Sequence, residues 1–350
     1  MEATNDVVQS AEISTYWNRL TPLLPGLWAS LAVSIAAVCT GWGEERVFGR
    51  PIIEPLVVAI LFGMLVRAVR WTGARQEPGV RFVAKDVLEV AVCLLGATMD
   101  VPRLFVSGPA LAIGIVIVVA VALSAGYLIG RVVGLSPKLA VLVACGNAIC
   151  GNSAIAAVAP VIGADREDVA ASIALTAVLG VIAVLGLPLL MPLLGYTNYQ
   201  YGVLAGLTVY AVPQVLAAAF AVSVLSGQVA TVVKLARVLM LGPVVLFFSL
   251  RGDASSDGRV VRRGALVPWF VAGFVVLATL RSLGVVPNAA ANASKLVASW
   301  LTIASMAALG LSSDLRSVRR VGARVVIAVG GSLSVLLLLA VSLIRVLRIH

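Results

Sequence analysis

A short polar stretch interrupts the apolar middle of the chain and carries residue types that bind anions. Residues 145–154 read Cys-Gly-Asn-Ala-Ile-Cys-Gly-Asn-Ser-Ala, with apolar residues on both sides. Amide and hydroxyl side chains, together with backbone N–H groups beside glycine, can replace the water hydrogen bonds of a desolvated oxyanion. The stretch therefore predicts an anion-binding tip formed by Gly146, Asn147, Cys150, Gly151, Asn152 and Ser153. A helix kink packed tightly by glycine is the alternative interpretation.

A second polar interruption lies in the apolar segment 201–224, which reads Gly-Leu-Thr-Val-Tyr-Ala-Val-Pro-Gln from Gly206 to Gln214. Proline removes a backbone donor and frees a carbonyl, and a preceding glycine loosens the turn. We expect Thr208, Tyr210 and Gln214 to be the polar groups that can bind the anion here, with Gln214 opposite the first tip. Core packing with a satisfied tyrosine hydroxyl is the alternative.

Two cations follow inside a helical, apolar segment. Lys234 and Arg237 are three residues apart, a spacing that puts them on one face of a helix. An unpaired charge within a membrane span costs several kcal/mol, so this pair predicts an anionic partner. The alternative is snorkelling to the interface, because the pair begins only about a turn into the predicted span.

Three hydroxyl side chains lie at two matching helix ends, just before an aspartate in each case. Thr98 precedes Asp100, and Ser312 and Ser313 precede Asp314. We expect the three hydroxyls to face the cavity that holds the anion. The aspartates are expected to bond backbone groups or loop cations instead.

Composition indicates the kind of fold that must position these residues. Of 350 residues, 61% are hydrophobic and 12% are charged, whereas about a quarter of a soluble protein is charged. The chain is therefore predicted to be an all-α polytopic membrane protein, with no soluble enzyme domain. The four cysteines lack CxxC spacing and the lone histidine is His350, so we expect no metal, no disulfide and no cofactor.

Nine apolar stretches are predicted as membrane spans: 26–43, 51–70, 86–101, 109–131, 168–194, 229–250, 266–284, 294–312 and 322–347. The interrupted segments 137–163 and 201–224 either cross the bilayer or re-enter it. Each arm of the first is about ten residues, or ~15 Å as helix, which is half of a ~30 Å hydrocarbon core. This length places the polar tip near the middle of the membrane.

Basic loops set the expected orientation. Arginine and lysine, which give the chain a net charge of +10, cluster at 67–85, 251–263 and 316–324. The positive-inside rule assigns these loops to the cytoplasm, so they report topology rather than nucleic-acid binding. Residues 1–20 lack the pattern of a signal peptide. We expect them to be a cytoplasmic N-terminal segment ahead of a single membrane domain, 21–350, in the bacterial inner (cytoplasmic) membrane.

An internal repeat accompanies these spans. Leu-Gly-Ala-Thr-Met-Asp ending at Asp100 recurs as Leu-Gly-Leu-Ser-Ser-Asp ending at Asp314, an offset of 314 − 100 = 214. An odd number of crossings separates the copies, about 50–131 and 264–345, so they are predicted to have inverted topology. A weaker match sets Asn-Ser-Ala-Ile-Ala-Ala from Asn152 beside Pro-Gln-Val-Leu-Ala-Ala from Pro213. Inverted repeats with broken helices are typical of secondary transporters.

Three stretches resemble a known family: Gly-Asn-Ala-Ile-Cys-Gly-Asn-Ser-Ala-Ile-Ala-Ala (146–157), Leu-Leu-Gly-Ala-Thr-Met (94–99) and Val-Lys-Leu-Ala-Arg-Val-Leu-Met-Leu-Gly-Pro (233–243). From about residue 45 onward the chain is similar to the YeiH-like bacterial membrane proteins, a family named for sulfate export. The resemblance implies an inner-membrane secondary transporter. Family members usually carry a His-Glu-x-x-Gln-Val type sequence where this chain has Tyr-Ala-Val-Pro-Gln-Val at 210–215. That departure puts proton coupling by analogy in doubt.

Together, the residues and the resemblance favour a secondary active transporter that moves a small anion, a sulfate-like oxyanion or a sulfonate, by alternating access, in the export direction. A sodium- or proton-coupled symporter of a small organic anion is one alternative, and a non-transporting membrane sensor is another. No enzyme is expected. The expected partners are a small anionic substrate, the lipid bilayer, a coupling ion (Na⁺ or H⁺) and a second copy of the chain in a homodimer, with no nucleic acid.

Overall fold

The computed structural model describes residues 21–48, 55–69, 75–98, 108–251, 268–313 and 322–349. Within these ranges every regular element is a helix. An apolar chain in a bilayer must pair its backbone groups internally, and helices do this within each segment. The prediction of an all-α fold is confirmed for the described part of the chain.

The helices, in chain order, are α1 Leu24–Phe48, α2 Pro55–Ala68, α3 Glu77–Phe82, α4 Leu88–Gly96, α5 Gly108–Val132, α6 Pro137–Cys145, α7 Asn152–Val158, α8 Arg166–Leu194, α9 Asn198–Thr208, α10 Val212–Phe220, α11 Val224–Leu239, α12 Leu241–Arg251, α13 Trp269–Ser282, α14 Asn288–Ser312 and α15 Ala323–Val346. Two π-helical turns extend this series. Val83–Val87 joins α3 to α4, and Gly146–Cys150 continues α6.

Six helical stretches of the described residues are long and apolar enough to cross a membrane: Leu24–Arg46, Gly108–Val132, Arg166–Leu194, Val224–Leu250, Asn288–Ser312 and Ala323–Val346. They match six of the nine predicted spans, and the chain is a multi-pass membrane protein. The spans predicted at 51–70 and 266–284 appear as α2 and α13, each 14 residues long. The described part of the span predicted at 86–101 begins in the π-helical turn Val83–Val87 and continues through α4 to Gly96.

Two compact units divide the chain. The first consists of Met1–Ala91 and Val297–Ser313. In it, α2 and α14 approach so closely that a Cβ on Gly63 would overlap the backbone of Ala307 and Gly310. The Ser305 hydroxyl donates to the carbonyl of Val83, 3.1 Å away, in the first π-helical turn. Close glycine contacts of this kind are how apolar helices pack without large side chains between them.

The second unit consists of Val92–Leu296 and Asp314–His350. Helix α5 packs along α15 and α6, while α9 and α10 pack against α11. Glycines again allow the close approach, since a Cβ on Gly206 would lie 2.7 Å from the Cβ of Val233 on α11. All the candidate site residues between 145 and 237 belong to this unit.

Some predictions fall on residues outside the described ranges. These are the N-terminal segment 1–20, both aspartates of the repeat motif (Asp100 and Asp314), and most of the basic loops 251–263 and 316–324. Their orientation and roles stay predictions.

Candidate functional site

The first interrupted segment, residues 137–163, folds back on itself and is called hairpin 1. The Nζ atom of Lys138 donates to the carbonyl of Gly163, 2.7 Å away although 25 residues on. Just outside, the Ser136 hydroxyl donates to Asp168 at 3.2 Å. The start and the end of the segment therefore lie together. Whether this segment crosses the bilayer or re-enters it stays a prediction.

The turn of hairpin 1 is made by Gly151. Its backbone has φ 67° and ψ −125°, a region that residues with a Cβ essentially do not occupy. The second π-helical turn leads into it, and the N–H of Gly151 donates to the carbonyl of Gly146 at 2.9 Å. Helix α7 begins at the next residue, Asn152. A single glycine thus ends one arm and starts the other.

The second interrupted segment also folds back, and its residues 198–220 are called hairpin 2. The Tyr201 hydroxyl donates to the carbonyl of Ala218 at 3.0 Å, which ties the first arm to the second. The Ser226 hydroxyl, at the start of α11, donates to the carbonyl of Asn198 at 2.8 Å. The helix breaks at Val209 and Ala211, whose ψ angles of 143° and 148° are extended.

The tips of the two hairpins meet. A Cβ on Gly151 would lie 3.4 Å from the Cβ of Tyr210 and 3.9 Å from the backbone nitrogen of Ala211. Helix α8 separates the hairpins along the chain, with 29 residues and a length of about 43 Å. Hairpin 1 ends where α8 begins and hairpin 2 starts where it ends. The hairpins therefore approach each other from opposite ends of α8.

Two buried cations lie behind the meeting point. Lys234 and Arg237 are both 0% exposed, so the snorkelling alternative does not hold. The Nζ atom of Lys234 donates to the carbonyl of Ile149 at 2.7 Å and to the carbonyl of Val209 at 2.9 Å. It therefore binds one backbone oxygen from each tip.

Arg237 binds both tips in the same way. Its Nε donates to the carbonyl of Ala148 at 3.1 Å and its Nη2 to that of Asn147 at 2.9 Å. On the other tip, Nη1 donates to the carbonyl of Gly206 at 3.0 Å and also to that of Leu207. These oxygens are carbonyl ends of half-helices, which carry partial negative charge. We call Lys234 and Arg237 the carbonyl clamp.

No carboxylate of the described residues pairs with the carbonyl clamp. The described residues do form an ion pair elsewhere, between Arg81 and Glu77 at 2.6 Å. Neither Lys234 nor Arg237 has an acidic partner in the described chain. The partners of both side chains there are backbone carbonyls. The centre of the second unit thus holds two buried basic side chains.

Two predicted site residues leave a buried polar atom without a described partner. Asn147 is 1% exposed; its Nδ2 donates to the carbonyl of Val329 at 3.1 Å, while its Oδ1 has no partner among the described residues. Tyr210 is also 1% exposed, and no described residue bonds its hydroxyl. The alternative of a satisfied tyrosine hydroxyl is thus not met within the described chain.

Access differs among the residues of the first tip. Gly146 and Cys150 are buried, Asn152 is half-buried and Ser153 is exposed. The Oδ1 of Asn152 accepts a hydrogen bond of 2.8 Å from Thr176 on α8. That bond orients the amide so that its NH₂ group stays on the other side. Ser153 and Asn152 are the least buried of the predicted ligands at this tip.

Gln214 and Thr208 both form hydrogen bonds within hairpin 2. The Oε1 of Gln214 accepts from the backbone N–H of Ala211 at 3.2 Å and so caps α10. Its amide packs on Gly180 of α8, where a Cβ would overlap it. The Thr208 hydroxyl donates to the carbonyl of Leu204 at 2.7 Å, within its own helix. The structure therefore gives both side chains a bond within hairpin 2.

The three hydroxyls at the helix ends each bond a carbonyl of their own segment: Thr98 to Leu95 at 2.7 Å, Ser312 to Ala308 at 3.0 Å and Ser313 to Leu309 at 2.8 Å. Thr98 belongs to the second unit and the two serines to the first. That these hydroxyls face a cavity stays a prediction.

One face of α8 was missed by the sequence analysis. Asp168, Ser172, Thr176 and Gly180 recur at intervals of four residues. Asp168 accepts from Ser136 at the base of hairpin 1, Thr176 bonds Asn152 at its tip, and Gly180 admits Gln214 of hairpin 2. The sequence does show this face, because small and polar residues recur every fourth position in an otherwise apolar helix.

Long apolar helices around two opposed hairpins with a buried polar centre define a multi-pass helical membrane protein. The family described as Conserved hypothetical protein 698 matches residues 25–329, and the chain belongs to this family. No solved structure matches the chain.

Relatives at three levels of identity extend over most of the sequence. A UPF0324 membrane protein of Brucella suis is 52% identical over 336 residues, which cover 95% of this chain and 99% of the relative. One of Bradyrhizobium diazoefficiens is 49% identical, with 95% of each chain covered. One of Bacillus anthracis is 33% identical, with 79% of this chain and 82% of the relative covered. Their names describe membrane proteins and state no substrate.

Proposed function

We propose that the protein is a secondary active transporter that moves a small anion by alternating access. One observation carries the proposal: two buried cations, without a carboxylate partner in the described chain, lie where two hairpin tips meet. Uncompensated charge inside a membrane protein is costly, and it marks ion and substrate paths. Broken helices that meet at the middle of the bilayer are where secondary transporters bind their substrates.

Charge bookkeeping favours an anion. The carbonyl ends of two half-helices supply roughly −0.5 each, and the N-terminal ends of α7 and α10 supply roughly +0.5 each. These four ends cancel, so any protonated side chain of the carbonyl clamp gives the centre an excess of positive charge. An anion that enters the centre lowers that excess, whereas a sodium ion raises it.

The sodium-coupled alternative has a further difficulty. Sodium at broken helices is held by freed backbone carbonyls. In this protein the carbonyls of Asn147, Ala148 and Ile149 accept hydrogen bonds from the carbonyl clamp. Oxygens that already accept from a cation are poor ligands for another. The arrangement supports an anion transporter over a sodium-coupled symporter.

We propose Asn152 and Ser153 as the first ligands of the anion. Ser153 is exposed at the first turn of α7, and the NH₂ group of Asn152 is left for a ligand because Thr176 holds the Oδ1. Backbone groups at Gly151 lie beside them. A sulfate-like oxyanion or a sulfonate, moved outward, remains the proposed substrate class and direction, on the resemblance of the sequence.

The inverted repeat is supported by helix bounds and by a pair of contacts. Helices α2 and α13 have equal length and begin 269 − 55 = 214 residues apart. In the second unit a Cβ on Gly96 would overlap the backbone of Phe274, and in the first a Cβ on Gly310 would overlap that of Ile60. At the offset of 214 residues, Gly96 corresponds to Gly310 (96 + 214 = 310) and Ile60 corresponds to Phe274 (60 + 214 = 274). In each contact the glycine of one copy therefore packs on the corresponding residue of the other copy. The repeated sequence therefore makes the same kind of glycine contact within each unit.

The hairpins support a second, nested repeat. Helices α6 and α9 begin 198 − 137 = 61 residues apart. Each follows a hydroxyl cap: Ser136 accepts from the N–H of Leu139 at 3.1 Å, and Thr197 from that of Gln200 at 3.3 Å. With α8 crossing between them, the hairpins are proposed to enter the membrane from opposite faces.

The orientation follows from the basic loops, with the N-terminus and the base of hairpin 1 in the cytoplasm and the base of hairpin 2 outside. Cysteines introduced one at a time as Val132→Cys, Glu167→Cys and Asn198→Cys, all at exposed positions, test this in a chain lacking native cysteines. The first two should react with an impermeant maleimide from the cytoplasmic side alone, and the third from outside alone. Reaction of positions 132 and 167 from opposite sides would mean that segment 137–163 crosses.

Flux through the purified protein tests the function itself. The protein is reconstituted in liposomes, and uptake of labelled sulfate and of a labelled alkylsulfonate is followed with and without sodium and across pH. We expect saturable uptake that sodium does not require. Thermal stabilisation by an anion without flux would indicate the sensor alternative. The lipid bilayer, a coupling ion and a second copy of the chain remain the other proposed partners.

A further inference from the structure

Six backbone carbonyls at the two tips are held by two side chains. Three belong to hairpin 1, at residues 147–149, and three to hairpin 2, at Gly206, Leu207 and Val209. The carbonyl clamp lies 25 to 90 residues away along the chain from these partners. Each of its two members contacts both hairpins.

Such an arrangement counteracts an electrostatic repulsion. The last carbonyls of each first arm carry partial negative charge, and both sets are directed to the same two side chains. Buried acceptors without partners cost free energy, and the residues that carry these six carbonyls are all buried. Cations placed between the two sets of carbonyls satisfy both at once.

Little donor capacity remains for a substrate. A lysine ammonium has three N–H donors and a guanidinium has five. Lys234 uses two of its donors on carbonyls. The four shortest contacts of Arg237, to two carbonyls on each tip, use Nε, Nη1 and Nη2 alike. A direct ligand of a transported anion would need donors directed away from the backbone.

We propose that Lys234 and Arg237 are positioning residues that join both hairpin tips to helix α11 as one body, rather than ligands of the anion. The tips then keep their contact while the substrate moves, and direct contacts to the anion are left to side chains such as Ser153. This inference rests on the proposed function for its meaning in transport, but the joining of the tips is a property of the protein alone.

Amide hydrogen exchange of the full-length protein without added anion tests the proposal. The variants are Lys234→Met, which removes two contacts, and Arg237→Lys, which keeps the charge but cannot span four carbonyls. Lys138→Met is the matched control, because Lys138 also donates to a carbonyl, that of Gly163, but at the base of hairpin 1. We expect exchange in both 146–152 and 206–212 to rise about tenfold to 100-fold in the first two variants. The control should leave both tips unchanged.

Three other results have distinct meanings. If exchange without anion is unchanged while anion affinity falls, the cations are ligands and the proposal is overturned. If exchange rises at one tip alone, the clamp does not join the hairpins, which also overturns it. If the parent shows neither anion binding nor flux but both tips still loosen together in Arg237→Lys, the clamp stands and the proposed function fails.

Discussion

Hairpins 1 and 2 are built alike at their bases and differ at their second arms. Both begin after a hydroxyl cap, both return to their starting end, and they meet at Gly151 and Tyr210. In hairpin 2 the residues from Tyr201 to Ala219 are buried, with Ala211 the exception at half-buried. In hairpin 1 the second arm exposes Ser153 and Ala156 of α7 and Pro160 just after it.

The packing of the following helices explains this difference. Gly202 and Gly206 of hairpin 2 lie against Val229 and Val233 of α11, so closely that no Cβ fits. Helix α7 has seven residues and small side chains, and α8 meets it through Thr176. Hairpin 2 is therefore packed tightly on α11, whereas hairpin 1 leaves Ser153 exposed.

Loss of the Arg237 side chain, which forms the most hydrogen bonds to the two hairpins, should have the largest effect on the free energy of unfolding. Arg237→Leu leaves four carbonyl contacts unmade in a buried place, and each unsatisfied acceptor costs about 1–3 kcal/mol. We expect a loss of at least about 3 kcal/mol in unfolding free energy, measured by thermal or denaturant unfolding in detergent. Arg131→Leu is the control: this exposed arginine donates to the carbonyl of Leu135, and its loss should cost less than about 1 kcal/mol. Equal losses in the two variants would contradict a special role for the clamp.

The turn of hairpin 1 comes next. Gly151→Ala forces an alanine into φ 67° and ψ −125°, which we expect to cost about 2–3 kcal/mol, measured by thermal unfolding. Steric overlap is not the cause, since the new Cβ would lie at an ordinary 3.4 Å from Tyr210. Gly195→Ala, at φ 64° and ψ 32° in open space, should cost about 1 kcal/mol. A smaller loss at 151 than at 195 would mean that hairpin 1 can turn without glycine.

Anion binding should depend on hairpin 1. A charge-assisted hydrogen bond contributes ~1.5–3 kcal/mol, so Asn152→Ala and Ser153→Ala should each raise the Kd roughly tenfold to 100-fold. Cys150→Ala removes only a weak, buried donor and should leave the Kd nearly unchanged. Calorimetry with sulfate on folded variants measures this. Parent-like binding by both Asn152→Ala and Ser153→Ala would reduce the hairpin turn to a packing feature.

Thiol accessibility gives the mildest test, because it perturbs neither hairpin strongly. In a chain lacking native cysteines, Ala156→Cys lies on the exposed face of α7 and Ala217→Cys in the buried arm of hairpin 2. We expect the first to react with a water-soluble maleimide at least about tenfold faster, as a locally open site does relative to a protected one. Similar rates would show that the two second arms are equally accessible and would remove the asymmetry.

Local properties of the sequence were enough for the fold class and for the places where the helices break. Hydropathy over some twenty residues decides whether a segment belongs in a bilayer, and glycine or proline beside polar residues marks the breaks at Gly151 and before Pro213. Six of the nine predicted spans are long apolar helices for that reason. The resemblance to sulfate exporters stays a prediction, because the names of the relatives state no substrate.

Only the tertiary structure showed that the chain folds back at those breaks and which groups bond to each other there. All the other spans keep the same orientation relative to one another whether the interrupted segments cross the bilayer or re-enter it, so the sequence does not decide between the two. That hairpin 1 folds back is shown by contacts such as that of Lys138 with Gly163, 25 residues apart. From the sequence, Lys234 and Arg237 predict an anionic partner because an unpaired charge inside a membrane span is costly. In the structure their partners are backbone carbonyls up to 90 residues away along the chain. Sequence shows which groups are costly to bury, since that depends on residue type. Which distant group satisfies them depends on how the chain returns on itself.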